Sequence, residues 1–103
     1  MTKDFLLDKN ILITGATSGI GKSLTKYLSE HGANILMLSK DESKLDVLYD
    51  EIVKKYNTDP YIFKCDLQKL NEDSAIEIKK IINENYSFVD AVIFNAAALE
   101  KMS

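Results

Sequence analysis

The apolar run Asn10-Ile11-Leu12-Ile13-Thr14 leads straight into Gly15-Ala16-Thr17-Ser18-Gly19-Ile20-Gly21, and apolar residues at helical spacing follow at once. A short continuous apolar run closed by glycine is the pattern of a strand buried on both faces. A buried strand that turns directly into a helix leaves few folds open. The helix must cross the sheet and deliver the chain to a parallel neighbour, because a parallel pair cannot be joined by a tight hairpin.

The rest of the chain repeats that unit. Ile20, Leu24, Tyr27 and Leu28 recur at helical spacing between Gly19 and His31 and are expected to form one buried face. Gly32 stands where a helix-terminating glycine belongs, and His31 is placed to cap that end rather than to catalyse. Asn34–Leu38 reads as the second strand. Ser39 with Glu42 fits a capping box, and Leu45, Leu48, Ile52 and Tyr56 are expected to face inward from the helix behind it. Asn57-Thr58-Asp59-Pro60 is a turn, and Tyr61–Cys65 the third strand. A third helix starts within Asn71–Asp73 and turns Ile78, Ile82 and Tyr86 inward; Val89–Phe94 is the fourth strand.

The order βαβαβαβ predicts an α/β fold, a Rossmann-like doubly wound parallel sheet with strands ordered 3-2-1-4. Residues 1–103 form one domain, equivalent to the first half of such a fold, so the sheet is incomplete. Ligands of such sheets bind beyond the C-terminal ends of the first and fourth strands, where the connections change direction. The fourth strand is expected to be an exposed edge, with only the third helix on one face. For a 103-residue chain alone, that predicts oligomerisation or poor solubility.

Composition narrows the function classes. All 13 cationic side chains are Lys, against 16 acidic residues, for a net charge of −3. No basic block occurs, which argues against nucleic acid and anionic membrane as partners. Cys65 is the only cysteine, so no internal disulfide forms; a buried structural role in a reducing, cytoplasmic setting is expected. No stretch has the length and apolarity of a signal peptide or membrane span.

The glycine-rich turn favours an anion. Gly15 permits a sharp turn, Gly19 permits close approach of a phosphate to main-chain N–H groups, and Gly21 lets the helix pack on the strand. The helix N-terminus contributes about half a positive charge and unpaired donors. Thr17 and Ser18 offer hydroxyls, and Ile20 lines the turn. The same residues admit a rival reading. Ala16-x-x-x-x-Gly21-Lys22-Ser23 approximates a P-loop, with Lys22 on phosphate and Ser23 on Mg²⁺. Its first glycine is missing, and only Asp66 could serve the metal. In the preferred reading Lys22 is a solvated lysine.

Three segments, each at the end of a predicted strand, together resemble the short-chain dehydrogenase/reductase family. They are Thr14-Gly15-x-x-x-Gly19-x-Gly21, Cys65-Asp66-Leu67 and Phe94-Asn95-Ala96-Ala97. The resemblance covers nearly the whole chain. It implies an NAD(P)-dependent carbonyl–alcohol oxidoreductase in which Asp66 and Leu67 hold adenine and Asn95 and Ala96 flank the nicotinamide-side ribose. Phe94 and Ala97 depart from the family's Asn-Asn-Ala-Gly, and the Ala97 methyl brings bulk near a ribose. An acidic residue closing the second strand would bind the adenine ribose 2′-hydroxyl and favour NAD. Here Ser39 and Lys40 stand there, and a cation suits a 2′-phosphate, so NADP(H) is expected over NAD(H).

The family's catalytic Ser, and its Tyr with Lys four residues on, lie beyond the fourth strand. None of Tyr27, Tyr49, Tyr56, Tyr61 and Tyr86 is followed by Lys at that spacing. No catalytic residue and no metal ligand is therefore assigned. The chain reads as the cofactor-binding part of a homo-oligomeric parent enzyme, inactive alone. The alternative is a non-catalytic dinucleotide-binding module.

Overall fold

A computed structural model describes residues 6–66, 71–86 and 88–94. The elements are β1 (Asn10–Thr14), α1 (Gly19–Glu30), β2 (Asn34–Ser39), α2 (Glu42–Lys55), β3 (Tyr61–Lys64), α3 (Glu72–Asn85) and β4 (Ala91–Phe94). All strands pair in parallel in the order β3-β2-β1-β4, as the alternation of apolar runs and helical periods predicts. In register, Ile13 lies between Met37 of β2 and Ile93 of β4.

Alternate residues of β1 and β2 serve opposite faces. Ile11, Ile13, Ile35 and Met37 pack under α1 and α2 with Leu28, Leu45, Leu48 and Ile52. Leu12, Leu36 and Leu38 face α3, where Tyr86 is buried and Ile78, Ile81 and Ile82 are partly so. Each fully buried aliphatic side chain contributes about 1.5–3 kcal/mol. The face under α1 and α2 holds most of them, since α3 buries no residue completely within its own span. Among the described residues β4 has β1 as its sole strand neighbour, and Val92 is 61% exposed.

The inward set of α2 is as expected: Leu45, Leu48 and Ile52 are buried and Tyr56 packs partly against them. The face of α1 is only half as expected: Leu28 is buried and Leu24 packs partly against the core. Ile20 and Tyr27 are 65% and 55% exposed, and the residues turned to the sheet are Gly21, Thr25, Leu28 and Ser29. Small side chains let this helix sit close to the strands, and the Thr25 hydroxyl is satisfied by donating to the Gly21 carbonyl at 2.7 Å.

Three boundaries also move. Ser39 is the last residue of β2, not a helix cap; Asp41 caps α2, its carboxylate accepting from the Lys44 N–H at 3.1 Å. β3 stops at Lys64 and β4 starts at Ala91. Gly32 follows α1 with φ +94°, the left-handed conformation that ends helices, and His31 is the C-cap.

The N-terminal pole of the sheet is tied by polar side chains. The Asn10 amide donates to the carbonyls of Tyr86 (3.3 Å) and Phe88 (3.1 Å) and accepts from the Asn34 amide (3.1 Å). Asn34 in turn accepts from the Asp59 N–H at 2.8 Å, and the Tyr86 hydroxyl donates to the Asp59 carbonyl at 2.9 Å. The Asp90 carboxylate accepts the Asn10 N–H at 2.8 Å. These bonds clamp one pole and leave the other, the C-terminal pole, to the glycine-rich turn. No described helix is long and apolar enough to cross a membrane.

Candidate functional site

The turn after β1 is built by its own residues. Gly15 has φ +61°, a conformation costly for any residue with a β-carbon. The Ala16 N–H donates to the Leu38 carbonyl at 3.0 Å, which holds the turn against the end of β2. Ser18 is the N-cap of α1. Its hydroxyl donates to the Gly15 carbonyl at 2.9 Å and accepts from the Gly21 N–H at 3.2 Å. This hydroxyl is therefore committed to shaping the turn rather than aimed outward.

The backbone at the start of α1 remains open to solvent. The N–H groups of Gly19 and Ile20 have no carbonyl partner within their own helix, as in any first turn. A β-carbon built on Gly19 would meet no atom within 4 Å. The space above this glycine is open, so a phosphate can come down onto the backbone, and a side chain there would take that space. Gly21 is buried against the sheet. Ile20 lies exposed beside the opening. The residues present thus fit the pyrophosphate of a dinucleotide.

Thr17 and Ser39 are 22 positions apart in sequence, yet their hydroxyls lie 2.7 Å from one another. The Ser39 hydroxyl also accepts the Asp41 N–H at 3.2 Å, and its carbonyl accepts the Cys65 N–H at 2.8 Å. One buried serine therefore ties together the turn, the cap of α2 and the end of β3. Lys40 follows it and is exposed. Asp66 is half-buried just past β3, on the same pole. Leu67, Asn95 and Ala96 lie outside the described residues.

Burial, and secondarily the charge of Asp66, push the Cys65 thiol above its ordinary value of 9.0. It stays a neutral thiol at physiological pH, which suits a packing role and not a nucleophile. Among the described residues no cluster of three or more His, Cys, Asp or Glu side chains could hold a metal ion.

Sequence reasoning missed a second feature of this pole. The first turns of α1 and α2 flank a cleft of about 350 Å³ lined by Thr17, Lys22, Ser43 and Lys44 above Val47 and Leu48. Lys22 is exposed, as expected, and borders this cleft. The signal was present in Asp41-Glu42-Ser43-Lys44. Choosing Ser39 as the cap placed Ser43 and Lys44 deeper in the helix than they are.

A family model described as short chain dehydrogenase matches residues 9–103. The oxidoreductase YciK of Escherichia coli (strain K12) is 31% identical over 97 residues, covering 94% of this chain and 38% of YciK. The very-long-chain 3-oxoacyl-CoA reductase of Lodderomyces elongisporus is 37% identical over 71 residues, covering 69% of this chain and 20% of the reductase. Among solved structures, a protein of Escherichia coli CFT073 complexed with NADPH superposes with a TM-score of 0.84 at 31% identity. That match covers 91% of this chain and 39% of the other. A Shigella flexneri protein complexed with NADP gives the same TM-score, identity and coverage. The chain thus spans well under half the length of these relatives.

Proposed function

Because the chain belongs to the short chain dehydrogenase family, we propose that it forms the dinucleotide-binding part of an NADP(H)-dependent oxidoreductase interconverting a carbonyl and an alcohol. The observation that carries this reading is the open space over Gly19, set at the start of α1 by the positive φ of Gly15 and the Ser18 cap. Backbone donors face the pyrophosphate there, and the helix dipole favours its charge. The nicotinamide supplies the hydride chemistry when bound. This chain's residues bind and orient the cofactor. Thr17 and Ile20 border the pyrophosphate turn, Asp66 and Leu67 meet adenine, and Asn95 and Ala96 meet the nicotinamide-side ribose.

Two observations favour the phosphorylated cofactor. The end of β2 carries a serine and then an exposed lysine, with no carboxylate to receive a ribose 2′-hydroxyl. Two structural relatives were solved with NADP or NADPH. The test is a fluorescence titration of the full-length protein with NADPH and NADH, and a competition with ATP and Mg²⁺. NADPH is expected to bind more tightly than NADH, with no effect of ATP and Mg²⁺. Tighter NADH binding would overturn the cofactor preference. Mg²⁺-dependent ATP binding lost on Lys22→Ala would replace the dehydrogenase reading by the P-loop one.

A further inference from the structure

The pole of the sheet opposite the glycine-rich turn carries a cleft of its own. α1 and α2 both end there, and a space of about 450 Å³ lies between Ser29 to Gly32, Lys55 to Thr58 and Leu7. Small-molecule sites span about 300–1,000 Å³. The 12 residues of α1 place this cleft about 18 Å from Gly19, at about 1.5 Å per residue. A molecule held here stays clear of a dinucleotide at the other pole.

The wall of the cleft contains two hydroxyls in need of partners. Among the described residues, Ser29 Oγ and Thr58 Oγ1 are buried and make no hydrogen bond, and both residues line this space. Ser29 is 1% exposed. One turn earlier on the same helix, Thr25 donates its hydroxyl to the Gly21 carbonyl at 2.7 Å; Ser29 does not repeat that bond. A buried hydroxyl left unpaired is destabilising, and two at one cleft mark a place where a ligand's polar groups restore the missing bonds. The Leu7 side chain, 55% exposed and set against Gly32, is the movable part of the wall that admits it.

The rim selects the kind of ligand. Glu30 and Lys55, both exposed, carry opposite charges that balance. The Lys55 ammonium lies 5.9 Å from the centroid of the Tyr56 ring. The C-terminal ends of α1 and α2 turn the negative ends of their dipoles here, which disfavours an anion. Each unpaired hydroxyl can both donate and accept, and a ligand hydroxyl answers it in either sense. His31, its ring edge-on to Tyr27 at 4.6 Å, and Asn57 add donors and acceptors, and the half-buried Tyr56 supplies an apolar wall. We infer that this cleft is a second binding site, for an uncharged polyol of monosaccharide size, separate from the cofactor pole.

The test is an amide NMR titration of the full-length protein, with and without saturating NADPH. The probes are glycerol, ribose, glucose and myo-inositol, with acetate and glycine as charged controls, each to about 10 mM, tenfold above a Kd of about 1 mM. At least one polyol is expected to shift the Ser29, Gly32 and Thr58 amides saturably, whether or not NADPH is bound. Ser29→Ala and Thr58→Val are each expected to weaken that polyol about tenfold, the effect of one hydrogen bond. Ser29→Ala should leave the Tm of the unliganded protein unchanged or higher, because the deleted hydroxyl has no partner to lose. A lower Tm would show that the hydroxyl is already satisfied, by an internal water, and would refute the site. So would the absence of a saturable shift with every polyol, tighter binding of acetate or glycine, or unchanged polyol affinity in both variants. A polyol displaced by NADPH would lie at the cofactor pole and refute it equally.

Discussion

Gly19→Ala separates the fold of this chain from its binding chemistry, because the two are expected to respond with opposite signs. Gly19 opens α1 without a positive φ, and an added β-carbon would meet no atom within 4 Å. Alanine fits the folded chain without strain and narrows the unfolded ensemble, so the unliganded protein gains about 0.4–1 kcal/mol. The same methyl occupies the space through which a phosphate reaches the backbone. Losing one or two charge-assisted hydrogen bonds of about 1.5–3 kcal/mol each weakens NADPH by between about tenfold and a hundredfold or more. Ligand linkage turns this into a reversal of rank. At NADPH concentrations near 100 times the parent Kd, the parent gains about 2.7 kcal/mol, and a variant weakened a hundredfold gains about 0.4 kcal/mol. Urea denaturation with and without NADPH measures all four values. A variant less stable than the parent without ligand would show that the space over Gly19 is not open. An unchanged NADPH affinity would show that no phosphate approaches this residue, and the site argument would fail at its centre.

Other perturbations address the clamp and the turns. Asn10→Ala deletes three side-chain hydrogen bonds and is expected to lower stability by about 2–3 kcal/mol in urea denaturation. Asn10→Asp should cost more, because a carboxylate cannot donate to the carbonyls of Tyr86 and Phe88. A cost below about 0.5 kcal/mol for Asn10→Ala would mean that the clamp is ornamental. Gly32→Ala places a β-carbon 2.7 Å from Leu7 Cδ1 and 3.3 Å from Leu7 Cα at φ +94°. The half-exposed Leu7 side chain can move, but the backbone strain cannot, so a loss of about 1–2 kcal/mol is expected and a thermal melt reads it. Burial, then the nearby Asp59, raise the Tyr86 phenol well above its ordinary 10.0. Folding thus favours the protonated form, and stability falls as pH rises past the unfolded value near 10. Tyr86→Phe should flatten that alkaline limb in pH-dependent denaturation, at a neutral-pH cost of about 0.5–1.5 kcal/mol for the lost bond to the Asp59 carbonyl. An alkaline limb as steep in the variant would assign it to other groups.

The strand order and the glycine-rich turn were legible because short range suffices to encode them. Asn10–Thr14 and Asn34–Leu38 are continuous apolar runs, each closed by residues that suit a turn or a helix start, and parallel pairing follows from the helices between them. The orientation of α1 was only partly legible: Leu24 and Leu28 do turn inward. Counting apolar residues favours Ile20 and Tyr27, whereas close helix–sheet packing favours small Gly21, Thr25 and Ser29, whose polarity disguises them. The cap of α2 failed for a related reason. Ser39 and Asp41 are both good caps, and β2 claimed Ser39 through its pairing with Lys64 of β3. The contact between Thr17 and Ser39, and the cleft holding Lys22 and Lys44, depend on the lateral alignment of β1 with β2. No local pattern reports that alignment.

The paired asparagines at the clamped pole also act as index marks. β1 and β2 both begin Asn-Ile-Leu, and their remaining inward residues are aliphatic and nearly interchangeable. Sliding one strand past the other by a pleat would exchange one aliphatic contact for another of similar worth, so the core alone discriminates weakly between alignments. Asn10 sits directly opposite Asn34 in the native pairing, and only there do the two amides meet. A slipped strand would strand one amide among hydrocarbon, with its hydrogen bonds unmade. The Asn10–Asn34 pair thus favours the native alignment of β1 with β2, and with it the positions at which Thr14 and Ser39 deliver the turn and the second helix to the far pole.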